Sequence, residues 1–243
     1  MKYSIIIPYR NREDNLSILL PRLQEVFSGK DYEIIISEQD NNDNFQISCV
    51  QNVGYGKSTG DIVIFHQVDY VPADDVSYEV DDIPVLPAKV GIFLDKDNKS
   101  PREYTDIPAG YRRWSNEIDS RFYGGVICMK REHFETINGF NPKYRGWGNE
   151  DEDLRERFVW ANIPVKRNEQ GTFYCLYHED NGDMDKKDEG GRKDFFDGKK
   201  YYIENAFKER HIGFTNTKAD VEVFDVGIPN VRWIKSKNYR VEE

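Results

Sequence analysis

Two apolar runs of the same kind constrain the fold of this chain most strongly. The segment "YSIIIP" (3–8) places three isoleucines in a row and ends at a proline, and "YEIIIS" (32–37) repeats the pattern. Continuous apolar runs of this length are typical of parallel strands that are buried on both faces. A third run, "DIVIFHQVD" (61–69), leads into polar residues. The sequence therefore predicts at least three strands of a parallel sheet.

Helical patterns lie between these runs. Residues 12–27 carry leucines at helical spacing, although Pro21 is expected to kink or split that helix. Residues 44–58 are the candidate second crossover helix. Strand, helix, strand, helix, strand is the first half of a doubly wound, Rossmann-like sheet that binds nucleotides. The predicted fold class is therefore α/β, with a mostly parallel central sheet flanked by helices.

The rest of the chain contains further elements and one long polar segment. Predicted strands cover 89–94, 122–130, 221–227 and 231–236, and predicted helices cover 131–137, a segment from 150 onward, and about 201–210. Residues 178–200 are almost devoid of apolar side chains, which is typical of a long mobile loop. We see no internal repeat and no domain boundary, so one domain of residues 1–243 is expected.

Composition excludes several classes of function. A net charge of −10 argues against a protein that binds nucleic acid or an anionic membrane, although a local basic site for a phosphorylated small molecule stays possible. The N-terminus does not read as a signal peptide, and no window is long enough for a transmembrane helix. Three widely spaced cysteines do not form a disulfide framework, so we expect a cytoplasmic location.

Charged residues follow two of the predicted strands. Arg10 and Arg12 stand at the carboxyl end of the first strand, where open α/β sheets bind ligands and where guanidinium groups suit a diphosphate. A solvated strand–helix loop is the alternative. Asp69 ends the third strand and suits a divalent metal, but an aspartate there could equally form a turn.

A cysteine and a histidine make a weaker metal pattern. Cys175 and His178 are three residues apart, at the end of a predicted strand. This spacing lets a thiolate and an imidazole hold one metal, but two ligands cannot identify it. A core cysteine followed by a surface histidine is the more common explanation for such a pair.

The stretch "GWGNEDED" (146–153) combines a tryptophan between two glycines with four successive acids. The acids favour a helix start, because negative charge is stabilised in the first turn of a helix. Taken in order, "IIIPYRNR", "NVGY", "VDYVP", "FYGGVICMKREHFETINGF", "GWGNEDED" and His178 resemble the β-1,4-galactosyltransferase family, the inverting GT-A glycosyltransferases also called family 7. The resemblance covers nearly the whole chain, without the membrane anchor and stem of the animal enzymes.

The resemblance implies a GT-A domain with a nucleotide-sugar-binding half (1–120) and an acceptor half (121–243), whose segment 178–200 is a flexible lid. It implies a UDP-sugar donor and a divalent cation, Mn²⁺ or another, with Asp69, Cys175 and His178 as the metal ligands. The donor-binding residues that it implies are Pro8, Tyr9, Arg10, Arg12, Phe45, Val68, Asp69, Lys96, Phe122 and Trp147.

The family's catalytic base corresponds to Asp151, which would accept the proton of the acceptor hydroxyl. Glu152 corresponds to an acceptor-sugar ligand, and Trp147 to a hinged ring that moves with the lid. The implied acceptor-binding residues are Gly148, Glu150, Asp151, Glu152 and Phe196. The acceptor itself would be a carbohydrate or glycan.

Several positions depart from the family's pattern. Gln67 replaces the first aspartate of the family's D-V-D motif, Ile47 replaces an arginine beside the uridine, and Cys175 replaces a methionine ligand. Phe122 stands where the family limits the donor's 2-substituent, so its bulk favours UDP-galactose over UDP-N-acetylgalactosamine. Residues 97–119 look like an insertion, which weakens the assignment of Lys96 to the diphosphate.

The sequence thus predicts an inverting, metal-dependent transferase that moves a hexose, with galactose expected, to a sugar hydroxyl and forms a β-glycoside. Three alternatives stay open. The chain could use another UDP-sugar within the same fold, or it could bind nucleotide sugars or glycans without turnover, as Gln67 and Ile47 would favour. Alternatively, each motif could merely mark turns and a solvated helix face. The oligomeric state does not follow from the sequence.

Overall fold

The two isoleucine runs lie side by side in the sheet. The structure is a computed structural model, and it describes residues 1–103, 121–146, 148–177 and 199–242. Strand β1 (Lys2–Tyr9) pairs in parallel with β2 (Asp31–Gln39), with Ile5 opposite Ile34. The six isoleucines of the two runs are at most 1% exposed, because both faces of the sheet are covered. The predicted parallel, fully buried strands are confirmed.

The larger sheet has eight strands in the order β10-β11-β2-β1-β3-β7-β5-β8. Strands β11, β2, β1 and β3 run parallel to one another, whereas β7 is antiparallel to β3 and β10 is antiparallel to β11. The remaining bounds are β3 (Ile62–His66), β5 (Val85–Leu86), β7 (Val126–Lys130), β8 (Lys166–Arg167), β10 (Thr217–Asp225) and β11 (Val231–Val241).

A second sheet of three strands forms beyond the carboxyl end of β3. It contains β4 (Tyr70–Pro72), β6 (Val90–Phe93) and β9 (Thr172–Cys175), with β9 in the middle. Strand β6 corresponds to the strand predicted at 89–94, but it belongs to this smaller sheet and not to the central one. Because β4 follows β3 after only three residues, the small sheet lies next to the edge where the ligand site is expected.

The described helices are α1 (Glu13–Val26), α2 (Ile47–Gly56), α3 (Arg131–Thr136), α4 (Glu150–Trp160) and α5 (199–205). Of the two expected effects of Pro21, a kink or a split of the first helix, the split does not occur, since α1 continues through it. Pro21 and Ser17 both lie on the exposed face, so water reaches the Ser17 carbonyl that loses its helical partner.

The strand predicted at 122–130 begins only at Val126. Gly125 has a φ of 81°, a left-handed conformation that interrupts an extended strand and that glycine adopts without strain. Residues 122–125 therefore form an irregular segment in front of β7. This segment becomes one wall of the pocket described below.

Two apolar clusters pack on opposite sides of the sheet. Helix α1 contributes Leu19 and Leu23 to one cluster, and α3 and α4 contribute Phe134 and Phe158 to the other. The three cysteines are buried and free. Within the described ranges, none of the helices has both the length and the apolar character needed to span a bilayer.

Candidate active site

The backbone before α4 explains the glycines of "GWGNEDED". Gly146, Gly148 and Asn149 have φ values of 74°, 92° and 72°, all in the left-handed region. Glycine adopts this region freely, and asparagine tolerates it better than most residues. Asn149, whose effect could not be predicted from the sequence, precedes the first helical residue, so its conformation determines where α4 begins.

The Asp151 carboxylate lies in the first turn of α4, against the irregular segment before β7. A Cβ atom built on Gly124 would lie 3.2 Å from Asp151 Oδ2, so a side chain at position 124 would crowd the carboxylate. Asp151 Oδ1 accepts a hydrogen bond from the Glu152 amide at 3.0 Å. Burial and the nearby Glu152 charge raise the pKa of Asp151 to about 6, which suits a general base near neutral pH.

Asp151 opens onto a pocket of about 270 Å³, its open mouth included. Helix α4 contributes Glu150 and Asp151, helix α2 contributes Gln51, and the end of β3 leads to Gln67. The remaining lining residues are Phe65, Tyr123, Gly124, Gly125, Val126, Ile127 and Phe140. The pocket thus combines two carboxyl groups, two amides and a phenol over an apolar floor, a composition typical of a small-molecule site.

Glu150 is the second acid on this pocket. Its Oε2 atom is buried and has no hydrogen-bond partner within the part of the chain that the structure describes. Burial and the Asp151 charge raise the pKa of Glu150 to about 8. Because these two carboxyl groups repel each other, they do not both ionise readily, and the pair retains a proton near neutral pH.

The other two acids of the motif have cationic partners. Asp153 Oδ2 accepts a hydrogen bond of 2.6 Å from Arg157 Nε, and both side chains are at most 1% exposed. Arg157 also donates to the Ile212 carbonyl at 2.7 Å, which connects α4 to the segment after α5. Glu152 lies 3.6 Å from the Lys199 amine, at the start of α5.

Two of the three predicted metal ligands lie close together. Strands β4 and β9 pair Tyr70 with Cys175, and the Leu176 amide donates to the Asp69 carbonyl at 2.7 Å. Burial and the nearby Asp69 carboxylate raise the pKa of the Cys175 thiol well above its usual value. A cation bound here would reverse that effect, since a coordinated thiol is deprotonated. Among the described residues, no group of three potential ligands forms, and His178 lies outside them.

Two of the predicted donor-binding residues make a contact with each other that the sequence alone does not show. The Arg10 guanidinium donates to the Asp43 carbonyl at 2.5 Å and lies 5.0 Å from the centre of the Phe45 ring. The Gly146 amide donates to the Phe45 carbonyl at 3.1 Å. Arg10 and Phe45 therefore lie together, next to the backbone that leads to Trp147. Arg12 donates to the Asn11 carbonyl at 3.2 Å.

Other predicted donor-binding residues are part of the core. Pro8 is buried, Tyr9 is 2% exposed with its ring against Trp233, and Val68 is 5% exposed. Phe122 is half-buried, and its ring is the nearest side chain to the Cβ position of Gly124. Phe122 thus lies beside Asp151, where a bulky ring can restrict the sugar.

Lys96 lies in a tight turn close to Tyr177, the residue that precedes the predicted metal ligand His178. Its amine is 5.9 Å from the centre of the Tyr177 ring, and the Arg102 guanidinium is 4.6 Å from the same centre. The Tyr177 amide donates to Asn98 Oδ1, which fixes the turn against the end of β9. The sequence does not predict a role for Arg102, because residues 97–119 look like an insertion. The one sequence feature that could have indicated it is the presence of a basic residue near the predicted metal ligands.

Three predicted residues lie outside the described ranges, namely Trp147, His178 and Phe196. The predicted lid, 178–200, is likewise outside them except for Lys199 and Lys200. Their predicted roles stay predictions. Gly148 precedes Asn149 at the start of α4, as the motif requires.

Comparisons with known proteins identify the family of this chain. A family model described as the N-terminal region of glycosyl transferase group 7 matches residues 1–80, and one described as the N-terminal domain of galactosyltransferase matches residues 109–179. Together they match more than half of the chain. β-1,4-Galactosyltransferase 4 of Cricetulus griseus is 33% identical over 187 residues, which are 73% of this chain and 48% of that protein.

The chain belongs to the β-1,4-galactosyltransferase family. It spans about half the length of the curated relatives it matches. Another relative, named β-N-acetyl-D-glucosaminide β-1,4-N-acetylglucosaminyl-transferase of Lymnaea stagnalis, is 32% identical over 173 residues, which are 68% of this chain and 32% of that protein. Two relatives with different transferred sugars in their names therefore match this galactosyltransferase-family chain about equally well.

The GT-A fold is also confirmed for this member of the galactosyltransferase family. The crystal structure of Drosophila β-1,4-galactosyltransferase 7, in complex with manganese, UDP-Gal and xylobiose, superposes with a TM-score of 0.68. The match covers 100% of this chain and 94% of that one at 21% identity. Such a likeness shows the architecture, and the residues of this chain must carry the argument about its chemistry.

Proposed function

We propose that this chain is an inverting glycosyltransferase that moves a hexose from a UDP-sugar to the hydroxyl of a carbohydrate or glycan acceptor, forming a β-glycosidic bond. Galactose is the expected hexose. The observation that carries the proposal is the Asp151 carboxylate, which lies on a pocket and whose pKa is raised to about 6 by burial and the nearby Glu152 charge. An aspartate whose only role was to stabilise the start of the helix would face water and not a pocket.

The residues at the pocket divide the chemistry between them. Asp151 accepts the proton of the acceptor hydroxyl as that oxygen attacks the anomeric carbon from the face opposite the leaving UDP. General-base assistance of this kind contributes about 10²–10⁴-fold to a rate. Glu150 and Glu152 bind acceptor hydroxyls, and Phe122 restricts the space at the 2-position of the transferred sugar.

The leaving diphosphate needs positive charge, and two groups of residues offer it. Asp69 and Cys175, with His178 as the third ligand, would hold Mn²⁺ or another divalent cation, which when bound would neutralise the charge that develops on UDP. The fit rests on the carboxylate and the thiol that β4 and β9 bring together. Lys96 and Arg102, which both lie near the Tyr177 ring, would supply two further positive charges.

Two alternatives keep specific support. A different UDP-sugar within the same fold is favoured by the N-acetylglucosaminyl-transferase among the relatives. A nucleotide-sugar or glycan-binding protein without turnover is favoured by Gln67 and Ile47, which replace an acid and an arginine of the family pattern. Two observations favour galactose transfer over these alternatives: the bulk of Phe122, and the larger number of galactosyltransferases among the relatives.

A donor panel tests the proposal. Purified protein is incubated with Mn²⁺, each of several UDP-sugars, and N-acetylglucosamine, glucose or xylose, and acceptor-dependent UDP release is measured. The expected result is release with UDP-galactose, followed by a β-linkage in the isolated product. UDP binding without acceptor-dependent release would favour the binding protein, and release with another donor alone would replace galactose.

A further inference from the structure

Gln51 has an amide that the fold leaves without a partner. It lies on α2, is 5% exposed, and its Oε1 atom is buried with no hydrogen-bond partner among the residues that the structure describes. Buried polar atoms are almost always hydrogen-bonded, and leaving one unpaired costs about 1–3 kcal/mol. An orphan amide on a pocket wall therefore indicates a group that enters the pocket.

A second orphan atom faces the same pocket. Glu150 Oε2 is also buried and without a partner in the described ranges, and both Gln51 and Glu150 line the pocket. The two oxygens lie on separate helices, α2 and α4. Gln51 Oε1 can only accept a hydrogen bond, which a sugar hydroxyl supplies, whereas a protonated Glu150 can donate one to a sugar oxygen.

The position of the pocket identifies which sugar lies there. In a displacement, the anomeric carbon lies between the leaving phosphate and the attacking oxygen. Gln67, two residues before the predicted metal ligand Asp69, and Asp151, the proposed base, both line the pocket. Under the function proposed above, a ring in a pocket that contains residues from both the metal side and the base side is the hexose of the donor.

We infer that Gln51 is a specificity-determining residue that hydrogen-bonds a hydroxyl of the transferred hexose. This inference rests on the proposed function. Gln67 adds a second amide where the family pattern has an acid, so two neutral amides line the pocket together with the two carboxyl groups. A site built around amides rejects a sugar that lacks the matching hydroxyl, since the amide then stays buried and unpaired.

The variant Gln51→Leu tests this directly. Leucine is similar in size and removes the orphan amide, so we expect unchanged or higher stability. Binding of UDP and of UDP-galactose is measured by calorimetry in the presence of Mn²⁺. We expect the affinity for UDP to stay the same and the affinity for UDP-galactose to fall about 3- to 10-fold, the effect of one neutral hydrogen bond.

Deoxy-sugar donors identify the hydroxyl. Among UDP-deoxygalactose analogues, the one that lacks the hydroxyl bound by Gln51 should bind the wild type and Gln51→Leu equally, while the others lose affinity on substitution. Ser48→Ala is the matched control: Ser48 Oγ is another buried orphan atom on α2, but it does not line the pocket. This control should bind every donor as the wild type does.

The outcomes separate this inference from the proposed function. If the wild type releases UDP with UDP-galactose but Gln51→Leu binds all donors unchanged, the pocket holds only ordered water and the inference is wrong. If the wild type binds no UDP-sugar more tightly than UDP and shows no turnover, the proposed function fails first. Selective loss of sugar affinity in Gln51→Leu, with normal UDP affinity, supports both.

Discussion

The first turn and a half of α4 contains acids in two opposite environments. Asp153 is fully buried and accepts a hydrogen bond of 2.6 Å from Arg157, so burial raises its pKa while the arginine opposes that rise. Glu150 and Asp151 face a pocket, and their pKa values rise to about 8 and about 6. All three residues stand within four positions of one run. The comparison shows that a buried acid with a nearby cation has a structural role, whereas a buried acid without such a cation stays available for proton transfer.

The strongest test of this comparison removes the acid at the pocket. Asp151→Asn keeps the size of the side chain but cannot accept the acceptor's proton, so turnover should fall about 10²–10⁴-fold. Binding of UDP-galactose, measured by calorimetry, should change little. Glu156→Gln is the control, since Glu156 pairs with Arg155 and not with the pocket. Near-full turnover in Asp151→Asn would remove Asp151 from the mechanism.

The second test leaves the buried Asp153 carboxylate without its cationic partner. Arg157→Met leaves Asp153 buried and charged without its partner, which should lower the free energy of unfolding by about 3–5 kcal/mol. Urea denaturation followed by circular dichroism measures the loss. The double variant Asp153→Asn/Arg157→Met should recover part of it, because no isolated charge then remains. A double variant as unstable as Arg157→Met would mean that packing around Arg157, and not the charge, dominates.

The smallest effect concerns Glu150 and depends on pH. The pKa of Glu150 rises from an ordinary 4.5 to about 8 in the fold, so its ionisation opposes folding as pH rises through that range. Glu150→Gln should therefore be more stable than the wild type by roughly 1–3 kcal/mol above pH 8, and no more stable below pH 4.5.

Urea denaturation at pH 4.5, 6.5 and 8.5 checks this dependence. Glu156→Gln serves as the control, because Glu156 pairs with Arg155 and does not line the pocket, so its removal should cost a few tenths of a kcal/mol at most. A stability difference for Glu150→Gln that is constant across the three pH values would show that Glu150 does not ionise in this range.

Local patterns sufficed for much of the fold. The isoleucine runs predicted β1 and β2, because a strand that is buried on both faces must be apolar at every position. The acids and glycines of "GWGNEDED" predicted the start of α4. The continuous α1 was not predicted, since the consequence of Pro21 depends on which face of the helix meets water.

The sequence by itself determined the α/β class, the order of the first strands and helices, and the position of Asp151 in a motif of this family. The tertiary structure alone decided which acids meet a cation, and it brought Asp69 next to Cys175 through the pairing of β4 with β9. It also turned Gln51 toward a pocket, which no motif indicated. The physical reason is that periodicity is a property of neighbouring residues, whereas burial, charge compensation and pKa depend on residues that are distant in the chain.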